Sequence, residues 1–244
     1  MTDMPLARSR LLPTARVALF FNGVNQYAHA PHFYYEDHFT VVARFMFPHG
    51  APPTRNQPLI SNGFTSAGRD WWLVIDRRPE LFPDRGVPLF ETRGGERIVN
   101  FDYYVYGGVW NHVAVVTSRG MYVNGVLVAS GSINIGAVSK GTAPLTVGID
   151  GVHRYMGYVS EVLIYSRALS KEEILWDFYY PDNPVRDGLV LWLHWDSIDT
   201  DKGMWYDKSG FGNHATLYNN PVKEDVLLPP KRLLSPTRTL TPVR

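Results

Sequence analysis

Hydrolysis of a glycosidic bond needs two carboxyl groups placed on either side of the scissile bond. A β-strand supplies such a pair most simply, because side chains two residues apart share one sheet face. The acidic neighbours in this 244-residue chain do not have that form. Glu36-Asp37 reads as solvated loop charge, and Glu172-Glu173 opens a helical pattern in which acids are favoured in the first turn. Glycoside hydrolysis is therefore not expected. The histidines at 29, 32, 38, 49, 112, 153, 194 and 214 show no helical zinc-ligand spacing. His29 and His32 read as a loop pair and His112 as a hydrogen-bonded structural residue. The chain also lacks a glycine-rich phosphate loop and a Gly-x-Ser-x-Gly elbow. What remains is aromatic. Trp71, Trp72, Tyr103, Tyr104 and Tyr106 are clustered in sequence, and rings of this kind stack on the apolar face of a pyranose. Side chains alternate along a strand, so one of Trp71 and Trp72 should face solvent or a partner. These five are the ligand-binding candidates.

The elements that would position them are mostly strands. Asn124-Gly125 is a strong two-residue hairpin signal, since a type I′ turn needs positive φ at both central residues. It predicts that Met121–Val123 pairs with Val126–Val128, Val123 facing Val126, with Asn111–Thr117 as a third strand. Val17–Phe21, Gln26–Ala30, Phe39–Phe47, Pro58–Ser61, Trp71–Asp76, Arg97–Phe101, Pro144–Ile149, Tyr155–Tyr165, Leu189–Trp195 and Ala215–Tyr218 read as further strands. Phe39–Phe47 alternates well enough to predict a half-buried strand. Residues 77–96 read as a long loop around a weak strand at Val87–Glu91. One helix is expected, opening on the capping box Ser170 to Glu173 and ending at Pro181. Turns every 8–12 residues indicate an all-β, two-sheet antiparallel sandwich.

The charge is unevenly distributed. A net +1 conceals +2 on residues 1–16 and +4 on residues 226–244, which leaves −5 on the body. Both ends are proline-containing and read as extended arms. Arg8, Arg10, Arg16, Lys231, Arg232, Arg238 and Arg244 are the candidate assembly contacts they carry. Seven basic residues without interleaved aromatics do not indicate nucleic-acid binding. The N-terminus lacks the apolar segment of a signal peptide, and no run approaches the length of a membrane span. Without cysteine, neither disulfides nor thiolate metal sites are available.

Five segments, taken together, resemble the concanavalin A-like lectin/glucanase superfamily, and within it the laminin-G-like jelly rolls. They are ALFFNGVNQYA (18–28), FTVVARFMFP (39–48), WNHVAVVTSRGMYVNGVLVASG (110–131), PLTVGID (144–150) and GYVSEVLIYSRALSKEEI (157–174). The resemblance implies a jelly-roll domain over 17–225 between an arm at 1–16 and an arm at 226–244. A sixth match is displaced. GLVLWLHWDS (188–197) with YDKSGFGNHATLYN (206–219) resembles the segment that normally opens such a domain. Either these strands fill the first position of their own sandwich, as in a circular permutant, or they complete a neighbour's; the first arrangement is favoured. Related glucanases carry Glu-x-Asp-x-x-Glu on one strand, which is missing here. The resemblance also raises Ca²⁺. Asn22 and Asn25 stand where relatives often have aspartates, and Ser160 replaces another, while Asp150 and Glu161 remain. Ca²⁺ favours charged oxygens, so this set is weakened.

Two functions follow from the sequence. The first is a non-catalytic subunit of a repeating assembly, such as a capsid decoration or surface component, contacting copies of itself through the arms. The alternative is a stand-alone lectin-like module that binds surface glycans, fold alone being an analogy for a ligand.

Overall fold

The computed structural model describes residues 17–32, 38–50, 56–62, 70–77, 84–133 and 144–226. The seven basic arm residues named above and Glu36-Asp37 lie outside the described residues, so the assembly contacts assigned to them are not placed.

The described residues form antiparallel strands and one helix. The strands of the first half are β1 (Val17–Asn22), β2 (Tyr27–Ala30), β3 (Thr40–Met46), β4 (Gln57–Asn62), β5 (Trp71–Asp76), β6 (Arg85–Thr92), β7 (Arg97–Val99) and β8 (Val105–Tyr106). The meander β9 (Asn111–Val116), β10 (Gly120–Val123) and β11 (Val126–Ser130) follows, then β12 (Leu145–Val147) and β13 (Met156–Tyr165). Helix α1 (Lys171–Tyr179) precedes β14 (Leu189–Asp199), β15 (Met204–Asp207), β16 (Ala215–Tyr218) and β17 (Val222–Asp225).

Pairing arranges the strands in two layers of a jelly-roll sandwich. The first runs β17-β1-β13-β3-β9-β10-β11. The second runs β15-β16-β2-β12-β4-β5-β6, with β7 and β8 sharing the far edge of β6. Strand β14 belongs to both. Its first half lies beside β13, with Leu163 opposite Trp192; after a register shift between Leu193 and Ile198, its second half lies beside β15. Such a shift re-aims the side chains of a strand. Leu191, Leu193 and Ile198 all reach the same core although they belong to different layers.

That core has the composition the alternation predicts. Phe39, Val41, Ala43, Phe45 and Phe47 line it with Trp71, Phe90 and Trp205, each fully buried aliphatic or aromatic side chain contributing about 1.5–3 kcal/mol. The second face of β3 departs from the half-buried expectation. Val42 and Arg44 are buried because α1 lies across that face, with Ile174 in one apolar cluster with Val42, Leu163 and Trp192.

Both local signals hold. Asn124 and Gly125 have φ of 51° and 81°, and Val123 faces Val126. A bulge near Met121 then pairs Tyr122 with Leu127 and Met121 with Ala129. A Cβ on Gly125 would sit 2.8 Å from Leu175 Cδ2, so the hairpin tip must stay bare for α1 to pack on it. At the helix start, the Glu173 amide donates to Ser170 Oγ (3.2 Å), and the Ser170 amide donates to Glu173 Oε2 (2.7 Å).

Three expectations are corrected. The strand read as weak at Val87–Glu91 is longer, running Arg85–Thr92; Arg85 and Gly86 pair with β8, and Leu89 to Glu91 with β7. Strand β14 extends four residues past Trp195. Strands β15 (MWYD) and β17 (VKED) lack an apolar alternation strong enough to announce them. Among the described residues, no helix is long and apolar enough to cross a membrane.

Candidate functional site

Strand register lays a row of side chains across the outside of each layer. On the second layer the row runs Asp199, Met204, Thr216, His29, Thr146, Ser61, Trp72, Glu91, Arg97, one residue from each successive strand. Its middle is covered. The Ser61 and Thr146 hydroxyls hydrogen-bond to each other, one donating and the other accepting, and both lie within hydrogen-bond distance of the Ile149 carbonyl oxygen, at 2.9 and 2.6 Å. Trp72 Nε1 donates to Glu91 Oε2 (3.0 Å), and the His153 ring lies 5.7 Å from the indole.

The outward-facing tryptophan expected from alternation is therefore absent. Trp71 is buried in the core against Phe39 and Phe90. Trp72 does point to the opposite face, but it packs there with Val74 and Leu89 and is only 3% exposed. Tyr103 is half-buried against the core. Tyr104 and Tyr106 sit at the far edge of the layer, where the Arg85 guanidinium lies 5.5 and 5.6 Å from their rings. The five candidates do not form one surface.

A different aromatic surface occupies the open end of the row. Ala28, Ala30, Ala215 and Leu217 face the core, so Tyr27, His29, Thr216 and Tyr218 face outward on β2 and β16. The Tyr27 and Tyr218 rings are 4.7 Å apart and within 12° of parallel, with His29 5.0 Å from Tyr218. One residue pair further along, His214 meets Tyr206 edge-to-face at 5.2 Å. Tyr218, Thr216 and His214 are exposed, and Tyr27, His29 and Tyr206 partly so. Burial raises the Tyr27 pKa, reinforced by Tyr218, and burial lowers that of His29.

Sequence reading missed this surface because Tyr27 and Tyr218 stand at opposite ends of the chain. The signal was the outward parity of two short strands, both recognised, whose pairing was unknown.

Next to Tyr206, a groove of about 520 Å³ opens at the β14–β15 hairpin. It is lined by Asp196, Ser197, Ile198, Asp199, Thr200, Asp201, Tyr206 and Lys223. Lys208 Nζ lies 2.6 Å from Asp196, and Lys202 Nζ lies 2.9 Å from Asp199. Burial raises the Asp196 pKa, but hydrogen bonds from Lys208 and His194 outweigh it and hold the carboxyl below its ordinary value. The Lys202 hydrogen bond does the same for Asp199.

The first layer's row is His112, Arg44, Glu161, His194, and it is buried, with the end of α1 against His112 and Arg44 and Asp182, beyond the helix, against His194. All four are at most 3% exposed. Arg44 Nε donates to Glu161 Oε2 (3.2 Å), and its Nη2 donates to the Asp177 and Phe178 carbonyls at the end of α1 (both 3.3 Å). Trp192 Nε1 donates to Glu161 Oε1 (3.3 Å). Burial lifts the Glu161 carboxyl to about 7 against the opposing pull of Arg44. Burial also drives the His112 pKa well below its usual value, helped by the Arg44 charge.

The Ca²⁺ candidates do not converge. Asn22 Oδ1 already accepts from the amides of Val24 (2.8 Å) and Asn25 (3.2 Å), and Asn25 Oδ1 accepts from Asn22 Nδ2 (3.2 Å). Asp150 Oδ1 accepts from the Val152 (3.0 Å) and His153 (2.6 Å) amides, while Oδ2 meets His153 Nδ1 (3.0 Å). Glu161 lies under α1 with Arg44. The asparagines and Asp150 serve as turn-formers, and this set does not fit Ca²⁺. Among the described residues, no group of three or more His, Asp or Glu side chains is placed to hold a metal ion.

A family model for the concanavalin A-like lectin/glucanases superfamily matches residues 22–175. The chain belongs to that superfamily. No curated protein matches it in sequence. Among solved structures, it resembles a presumptive carbohydrate binding protein from Bacteroides ovatus, with a TM-score of 0.64 and 18% identity over 86% of this chain. The chain spans 60% of that protein's length. The heptameric SAP-like pentraxin from Limulus polyphemus aligns at 0.51 and 14% identity, over 84% of this chain and 95% of that one. Domain 4 of AbnA, an extracellular arabinanase from Geobacillus stearothermophilus solved with arabinotriose, aligns at 0.50 and 16%, over 66% and 76%. At these identities the likeness is one of fold: a lectin-like jelly roll.

Proposed function

We propose that the protein is a glycan-binding module that holds sugar on the open aromatic end of the second layer. The observation that carries this is the stacked Tyr27–Tyr218 pair with His29, presented outward on β2 and β16. Tyrosine rings present an apolar face to the C–H side of a pyranose. Membership of a lectin/glucanase superfamily supports the reading, as does the presumptive carbohydrate-binding role of the Bacteroides ovatus protein.

Binding is favoured over hydrolysis by the carboxylates beside this surface. A glycosidase needs one carboxyl kept protonated near working pH, whereas Asp196 and Asp199 are both held ionised by lysines. The assembly-subunit reading rests on arms that lie outside the described residues, and the glycan reading takes its place.

The test is a glycan array probed with the full chain and with Tyr218→Ala. Selective binding by the full chain, lost in the variant, is expected. Uniform absence of binding by the full chain would overturn the proposal.

A further inference from the structure

We infer that the site is extended and takes an uncharged oligosaccharide, with the groove at the β14–β15 hairpin as a second, polar subsite. This rests on the glycan-binding reading above and adds the class of ligand. Tyr206 belongs to both parts: its ring meets His214 on the aromatic surface, and it lines the groove. The surface also continues without a break in register. Asp199 is opposite Met204, Met204 opposite Thr216, and Thr216 opposite His29. From β2 to β14 there are three strand spacings, roughly 14 Å in all, longer than one pyranose ring.

The two ends differ in chemistry. Tyr27, Tyr218 and His29 offer ring faces that suit the C–H side of a sugar. The groove offers the hydroxyls of Ser197 and Thr200, the carboxylates of Asp199 and Asp201, and the ammonium of Lys223. Donors and acceptors together match sugar hydroxyls, which both donate and accept. The groove lining holds Asp196, Asp199 and Asp201 against Lys223, with Lys208 and Lys202 paired to Asp196 and Asp199 from outside it. The three aspartates of the groove lining disfavour a sulfated or sialylated chain relative to a neutral one.

The test uses α-1,5-arabino-, β-1,4-galacto- and β-1,4-gluco-oligosaccharides of one to four residues, titrated calorimetrically into the full chain. In a series that binds, affinity should rise by about tenfold or more from one residue to four as the second subsite fills. Lys223→Ala and, independently, Asp201→Ala should flatten that rise, each variant being checked for an intact melting transition. A series that binds with one affinity at every length would overturn the extended site and leave the glycan reading standing. So would a length dependence that both variants retain. Tighter binding of sialylated or sulfated chains on the array would overturn the uncharged assignment. Failure of the array and of all three series would overturn both readings.

Discussion

The two layers carry the same device to opposite ends. Each has a register-aligned polar row on its outer face, yet one row is closed and the other open. In the first, Arg44, Glu161, His112 and His194 are buried, α1 lying over His112 and Arg44, and Arg44 ties the sheet to the last carbonyls of that helix. In the second, the row emerges from under the Ile149–Arg154 segment as His29 and Thr216, beside the outward Tyr27–Tyr218 pair. Burial decides which role a polar side chain takes. In the covered row, the charges of Arg44 and Glu161 are satisfied by each other, by Trp192 and by the end of α1.

If that contrast is right, substitutions in the two rows separate stability from binding. The largest effect is expected for Arg44→Ala. It strands Glu161 without its partner and removes two hydrogen bonds to the end of α1, and breaking a buried pair in this way costs about 3–5 kcal/mol. Chemical denaturation would measure it, and a loss under about 1 kcal/mol would mean the row is not the lock described.

Next is the pH response of Glu161. Its folded pKa of about 7 lies above the ordinary 4.5, burial being the main cause. For a carboxyl raised on folding, the associated stability is fully present below the unfolded pKa and is lost as pH rises through the folded one. Wild type should therefore lose on the order of 3 kcal/mol relative to Glu161→Gln between pH 4.5 and 7. His112, held neutral, acts in the opposite sense. Its stability is present above the unfolded value and is lost as pH falls below it, so the comparison with Glu161→Gln isolates the carboxyl. Parallel pH–stability curves for the two proteins would contradict the assignment.

A smaller effect, about 1 kcal/mol, is expected for Ser170→Ala, which removes one half of the capping box at the other end of the roof. Thermal melts should show it. Sugar affinity should be unchanged, because α1 covers the layer opposite the proposed site.

The contrast between layers also explains what the sequence could and could not disclose. Local signals were legible: Asn124-Gly125 needs positive φ, Ser170 and Glu173 cap reciprocally, and Phe39 to Phe47 alternates. Features that depend on pairing between distant strands were not. Trp72 looked like an outward aromatic because alternation says which way a side chain points, and it says nothing about whether Val74, Leu89 and His153 cover that face. Tyr27 and Tyr218 looked unrelated until β2 and β16 were seen as neighbours. Asn22 and Asp150 had the composition of a cation site, but their oxygens are taken by backbone amides of their own turns.

The central claim is that the open row binds sugar through the stacked tyrosines, and its most direct test is calorimetric titration of the best array glycan into wild type and into Tyr27→Ala/Tyr218→Ala. The account predicts at least about a tenfold loss of affinity in the double variant, about 1.4 kcal/mol, with a cooperative unfolding transition retained. Undiminished affinity in a folded double variant would contradict it.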